Sequence, residues 1–168
     1  MKAFIGAKIA AIIIAFHAVV GYAGAEPRIA VLNFELRDYS ALPYREAERT
    51  RVSAIRPMLE RRLVEEGIAR STVVPIEEWN AANPSVGYLF AHNDAAADFG
   101  RKLQTDWLVV GQLSKLSDMV SYLLVHVVDV HNRRLSADYA LELKGSHAGV
   151  LQQGIKRIGS QITRVVAE

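Results

Sequence analysis

The chain has 168 residues, formal net charge +2 and no cysteine. Absence of cysteine excludes disulfides, thiol catalysis, zinc-thiolate sites and iron–sulfur clusters, so stability must come from an ordinary hydrophobic core. The N-terminal "MKAFIGAKIAAIIIAFHAVVGYAGAEP" has Lys2 and Lys8 as a positive start, an apolar run from Ile9 through Val20, and the small-residue site Ala23-Gly24-Ala25. That pattern predicts a secretory signal peptide over residues 1–25, cleaved after Ala25. The alternative is an uncleaved anchor, but His17, Gly21 and Gly24 cut the run short of the roughly 20 apolar residues a spanning helix needs. No cysteine stands at the cleavage site to carry a lipid.

Without Lys2 and Lys8, residues 26–168 carry 18 basic and 18 acidic side chains. The basic isoelectric point therefore gives no support for nucleic acid binding. Arg45, Arg49, Arg51, Arg56, Arg61 and Arg62 are interleaved with Glu46, Glu48, Glu60, Glu65 and Glu66. This mixing predicts a solvated helix face with pairs four residues apart, rather than a phosphate track. Residues 26–168 are expected to form a single α/β domain.

In chain order, "RIAVLNFEL" (Arg28 to Leu36) reads as a first strand, apolar on both faces and so interior. After a polar segment with Asp38, Tyr39, Ser40 and Pro43, a helix is predicted from about Tyr44 to Glu66. Its inner stripe is Val52, Ile55, Leu59 and Leu63, Gly67 ends it, and Pro57 kinks it or marks its true start. "STVVPI" (Ser71 to Ile76) reads as a second strand, followed by a helical turn over Glu77 to Ala82. Asn83 to Asn93 reads as a loop that tucks Tyr88 and Phe90 inward, and a helix follows from near Asp94 to Leu103.

"TDWLVVGQLSKL", "DMVSYLLVHVVDV" and "RRLSADYALELKG" read as strands three to five. Their connections are short, so they are antiparallel neighbours, with His131-Asn132-Arg133 as the last turn. Ser146 is the expected N-cap of a final helix carrying Val150, Leu151, Ile155, Ile158, Ile162 and Val165. The expected fold is a five-stranded mixed α/β sheet, β-α-β-α-β-β-β-α, in order 2-1-3-4-5, packed with about three helices.

"IAVLNFEL", "TDWLVVGQLSKLSDMVSYLLVHVVDV" and the closing basic helix after "LELKGS" together resemble a family of exported proteobacterial proteins, domain of unknown function number 2380. The resemblance covers nearly all of residues 28–166. More distantly, the pattern is similar to periplasmic α/β domains typified by the TolB N-terminal domain and curli-secretion lipoproteins, a fold-level likeness. The family resemblance implies export to the periplasm of a Gram-negative bacterium, a small α/β domain and no established reaction. Family genes often lie near those for quinoprotein alcohol dehydrogenases, which implies an accessory role. Many relatives carry a cysteine pair where this chain has "AHNDAAADFG", with His92 and Ala95 at about those places, so no redox role transfers. Lys115 and Ser117 stand where relatives also have lysine and serine.

Searching the residues for chemistry gives little. His92, His126, His131 and His147 lack metal-helix spacing, although His131 and Asp129 share a strand face. His126, beside Tyr122, Leu124 and Val128, reads as a core histidine with one satisfied nitrogen. "GSHAG" has its serine in the wrong place for a nucleophile elbow, Gly100 and Gly111 are isolated, and Glu77 and Glu78 point apart on a helix. No catalytic residue, metal ligand or cofactor is indicated.

Two candidate sites remain. The polar island Gln112, Ser114, Lys115, Ser117 and Asp118 reads as the tip of an antiparallel hairpin and a partner-docking surface, on which Lys115→Ala is expected to leave folding intact. The loop Asp38, Tyr39 and Ser40 leaves the first strand at the end where open α/β sheets bind ligands, with Trp79, Tyr88, Phe90 and Trp107 near loops. The expected function is a non-catalytic periplasmic accessory or interaction domain, serving a quinoprotein alcohol dehydrogenase system or envelope assembly. The alternative is a periplasmic small-molecule or metal-binding protein. Its partner is expected to be another periplasmic or envelope protein, with no nucleic acid and no stable membrane span after signal cleavage.

Overall fold

A computed structural model describes residues 27–43, 46–68, 71–145 and 148–167. The expected signal peptide and the Ser146 cap lie outside the described residues. The elements in order are β1 (Ile29–Val31), β2 (Glu35–Asp38), α1 (Glu46–Glu65), α2 (Ile76–Ala82), α3 (Tyr88–Ala91), α4 (Asn93–Lys102), β3 (Trp107–Lys115), β4 (Val120–Asp129), β5 (Arg134–Lys144) and α5 (Ala148–Val166). They build a mixed five-stranded sheet in which β1 and β2 both run parallel to β3, and β3, β4 and β5 form an antiparallel meander. Among the described residues no helix is long and apolar enough to cross a membrane.

The predicted first strand is real but divided. Ile29 lies opposite Trp107 and Glu35 opposite Gln112, so six steps along the first chain match five along β3. One extra residue makes a β-bulge at Leu32 to Phe34, and it exchanges the two faces. Ile29 and Val31 point into the layer formed by α1 and α5, as do Phe34 and Leu36 beyond the bulge. Gly111 of β3 makes room for this: a Cβ there would stand 2.0 Å from the Phe34 ring, which lies on the sheet at that point.

The predicted second strand is a correction. Ser71 to Pro75 is extended chain without a ladder, tied to the edge of β1 by one bond from Thr72 N to Ile29 O at 2.7 Å. A proline and an exposed Val73 leave too few inward side chains and donors for a pairing strand. The segment nevertheless lies beside β1, so the neighbour order anticipated from sequence holds, with the bulge supplying the fifth strand.

One face is covered by α1 and α5. Val52, Ile55, Leu59 and Leu63 are buried, as their spacing predicts, and each fully buried aliphatic side chain stabilises the fold by about 1.5–3 kcal/mol. α1 runs through Pro57, which is exposed, so the carbonyl it leaves unbonded faces water and the helix neither starts nor ends there. Gly67 ends the run with φ +90, a conformation that favours glycine. The other face is covered by α2, α3 and α4 through Leu89, Ala96, Ala97 and Phe99 against Leu108, Val110 and Val128. The expected loop from Asn83 contains α3, held when Glu35 accepts bonds from Asn83 Nδ2 and Gly87 N, both at 2.8 Å.

Candidate functional site

The two candidate groups meet at one end of the sheet, because β2 and β3 are parallel and end side by side. Tyr39 N donates to Lys115 O at 2.8 Å, and the register places Asp38 opposite Lys115. Lys115, Ser117, Asp118, Asp38, Tyr39 and Ser40 therefore share one neighbourhood.

The island is not a turn throughout, which corrects the sequence reading. Gln112, Ser114 and Lys115 lie within β3 and are buried, and the turn itself is Leu116 to Met119. Gln112 and Ser114 face the layer of α2, α3 and α4, where Gln112 lies against Gly87. Ser117 builds the turn: its Oγ accepts from the backbone of Met119 at 3.2 Å and of Val120 at 3.1 Å.

Lys115 is only 1% exposed, and its ammonium lies 3.5 Å from Glu48 Oε1, 3.4 Å from Asp118 Oδ1 and 3.8 Å from Asp38 Oδ2. Arg51 completes the cluster from the next turn of α1. Its guanidinium donates to Ser121 Oγ at 3.1 Å and Gly145 O at 3.3 Å, and stands 3.9 Å from Glu48. Burial pushes Arg51 below its ordinary pKa, with Glu48 pulling the other way. Hydrogen bonds from Ser40 Oγ (2.6 Å) and Ser40 N (2.8 Å) hold the Asp38 carboxyl below its usual range, the hydroxyl bond being the largest cause, with Lys115 assisting. The bulge is what turns Asp38 toward this cluster. Opposed charges surround one another closely, so the cluster ties β2, β3, the hairpin and α1 together while leaving little net charge to present to a ligand.

Sequence reasoning missed Glu48, Arg51 and Ser121. A signal was present: Glu48 continues the stripe Val52, Ile55, Leu59 one turn upstream, and a glutamate on a buried stripe needs a cation. Arg56 pairs with Glu60 at 3.0 Å and Arg62 with Glu65 and Glu66, close to the expected spacing, but both arginines are part-buried and also bond Asn33 and Ser160, so that face is not simply solvated; Arg45 lies outside the described residues.

Large apolar side chains are exposed around the cluster, alongside Ser40, Ser117 and Asp118. Tyr39 (65% exposed), Leu42, Leu116 and Met119 (67% exposed) come from the two loops that cap this end of the sheet. Beside them an open groove of about 570 Å³ runs between β2 and α1, with Phe34, Leu36 and Val52 on its walls and Asp38, Arg49 and Arg56 among its polar groups.

The remaining candidates are occupied by structural contacts. His126 stacks on Phe90 with centroids 3.8 Å apart, its Nε2 is 3.5 Å from Asp138, and its buried Nδ1 has no hydrogen-bond partner. Burial lowers its pKa, against the pull of Asp138. Tyr88 stacks on His92, and Trp79 and Trp107 pack against the two cores. His131 lies 3.1 Å from Asp106, whereas Asp129 is engaged by Asn132. Among the described residues no group of three or more histidines or carboxylates is arranged to hold a metal ion.

Fold and cap thus define a small α/β domain with a bulged parallel edge, a buried charge cluster and an apolar end. The chain belongs to the family described as "Protein of unknown function (DUF2380)", whose model matches residues 27–162. No curated protein matches the chain. Among solved structures, the chain is similar to the PelC dodecamer from Paraburkholderia phytofirmans, with TM-score 0.51 and 14% identity over 83% of this chain and 86% of that one. It is also similar to the hypothetical protein CT253 from Chlamydia trachomatis, with TM-score 0.50 and 13% identity over 84% of this chain and 98% of that one. Lipoprotein GNA1162 from Neisseria meningitidis aligns with TM-score 0.48 and 12% identity over 81% of this chain and 96% of that one. At such identities the likeness is one of fold.

Proposed function

We propose that this protein is a non-catalytic accessory domain of the bacterial envelope, exported to the periplasm, which docks another protein through the apolar end of its sheet. One observation carries the reading: Tyr39, Leu42, Leu116 and Met119 expose large apolar side chains on two loops that the charge cluster beneath holds in place. Contiguous apolar surface rimmed by polar groups is the usual mark of a docking site. The signal-like residues 1–25 support export. PelC, a solved structure of similar fold, is named as a dodecamer, so recovery of nothing but further copies of this chain would point to self-association in place of a separate partner. The family resemblance makes a quinoprotein alcohol dehydrogenase the first partner to examine.

The test is affinity capture from intact cells of the native protein beside Tyr39→Asp and Met119→Asp. The reading expects processing after Ala25 and one discrete partner that both variants lose while remaining folded. A partner retained by both variants contradicts it. So does a protein that captures no partner but gains thermal stability with a metal or small molecule, the outcome required by the binding-protein alternative.

A further inference from the structure

We infer that the outer face of α5 holds the protein against an anionic phospholipid surface, through Lys156, Arg157 and Arg164 of that helix and Arg61 of α1. This rests on the envelope setting proposed above and leaves the apolar end of the sheet free for its own partner.

The face follows from the pattern of the helix. Leu151, Ile155, Ile158, Ile162 and Val166 are buried on the sheet side. Lys156, Arg157 and Arg164, separated by one, seven and eight residues, come out together on the other side, where Gln152 and Gln153 are also exposed. Between Ala148 and Val166 the helix has no aspartate or glutamate. Beside it, Arg61 and Lys156 line one groove with Met58 and Ile155, so α1 adds a fourth cation to the same surface.

These four cations are unanswered. Among the described residues none of them forms an ion pair, and the nearby carboxylates are taken: Glu60 by Arg56, Glu65 and Glu66 by Arg62, and Glu142 by Lys144 at 3.8 Å. Because Arg62 stands against both Glu65 and Glu66, one carboxylate charge is left over against four cations, and the face keeps a positive excess.

The exposed side chains of α5 are small or polar, and Val64 of α1, beside Arg61, lies at the margin of the face. A stable protein interface is built round buried aromatic or aliphatic anchors, which this face does not offer. Attraction to headgroups needs no such core, since it adds up from separate lysine and arginine side chains within a Debye length of the charged plane. Export removes nucleic acid as the extended polyanion. The lipid face and the docking end do not overlap: Val165, near the end of α5, lies with Trp107 and Asp129, whereas the apolar end lies past Lys115 at the other end of β3.

The test is flotation of the purified protein, its N-terminus established by mass, with vesicles of equal parts phosphatidylglycerol and phosphatidylethanolamine, and with vesicles of phosphatidylcholine alone. The inference expects binding to the first and not the second, weakening as salt shortens the Debye length from roughly 10 Å at 0.1 M to about 3 Å at 1 M. A cation near such a surface contributes about fivefold in affinity, so Lys156→Gln and Arg164→Gln should each weaken binding by about that factor. Lys156→Glu combined with Arg157→Glu should abolish it. The matched reversal of Arg101 and Lys102 to glutamate, on exposed cations of α4 across the sheet, should not. Where the α5 reversal fails to fold, the two single neutralisations decide. Binding to neither vesicle, equal binding to both, or equal loss from both reversals overturns the inference. So does an oligomer that ignores vesicles and that the α5 reversal dissociates, since the face would then belong to a second copy. Loss of vesicle binding in Tyr39→Asp would put the lipid contact at the apolar end and likewise overturn it. Absent vesicle binding with partner capture intact refutes this inference alone. A partner retained by Tyr39→Asp, with vesicle binding lost only in the α5 reversal, refutes the docking reading alone.

Discussion

At the scale of single residues, the largest revision concerns Lys115. A lysine in a polar island next to a turn reads as solvent-exposed, and on that reading its removal is silent. In the structure it is 1% exposed among three carboxylates, of which Glu48 is itself buried. Lys115→Ala leaves Glu48 buried with Arg51 only at 3.9 Å, so urea unfolding should show a loss of about 3–5 kcal/mol, the range for breaking one partner out of a buried pair. A loss under about 1 kcal/mol, the scale of an exposed pair, would place the lysine in water. Asp106 gives a prediction in pH. Bonds from the Arg28 side chain, above all, and from Arg28 N hold it at about 2, with His131 helping. A carboxyl depressed in the folded state stabilises it above the ordinary carboxylate range, and that contribution fades as pH falls toward 2. Asp106→Asn should therefore lower the melting temperature at neutral pH, and the difference from the native protein should shrink steadily between about pH 4 and 2. A difference independent of pH would remove the charge from the explanation.

At the scale of elements, periodicity was enough wherever one force acted alone. The stripe of α1, the long meander and the apolar face of α5 were legible because burial by itself sets their pattern. The bulge was not, since "RIAVLNFEL" is apolar on both faces and a one-residue slip leaves such a pattern unchanged. "STVVPI" has β-branched residues but no partner to offer them, so tertiary context overrides local preference. The short α3 lacks the length for a periodic signal and depends on Glu35, a contact between distant segments. Phe34 lies at the bulge and needs Gly111 opposite it, with a Cβ position only 2.0 Å from the ring. Gly111→Ala should cost about 1–3 kcal/mol by overpacking, measured by denaturant unfolding, because a backbone-anchored methyl must displace a buried ring. A neutral substitution would show that the ring has room to move and that the bulge does not depend on that glycine.

At the scale of the molecule, the candidate site was half legible. Both groups named from the sequence, the Asp38–Ser40 loop and the island around Lys115, lie at one end of the sheet, but their connection through Glu48 and Arg51 depends on how α1 crosses the strands. Sequence types the residues, while only the fold decides that Lys115 is interior and Leu116 and Met119 are outside. The consequence is a division of labour: a buried polar cluster that fixes two loops, and an apolar surface those loops present. The most direct test is photo-crosslinking in intact cells from Met119, with Val73, exposed at the opposite end of the sheet beside Ile29, as the control. A discrete adduct from Met119 and none from Val73 is the predicted result. Equal adducts from both positions, or none from Met119, would contradict a docking function for this end of the sheet.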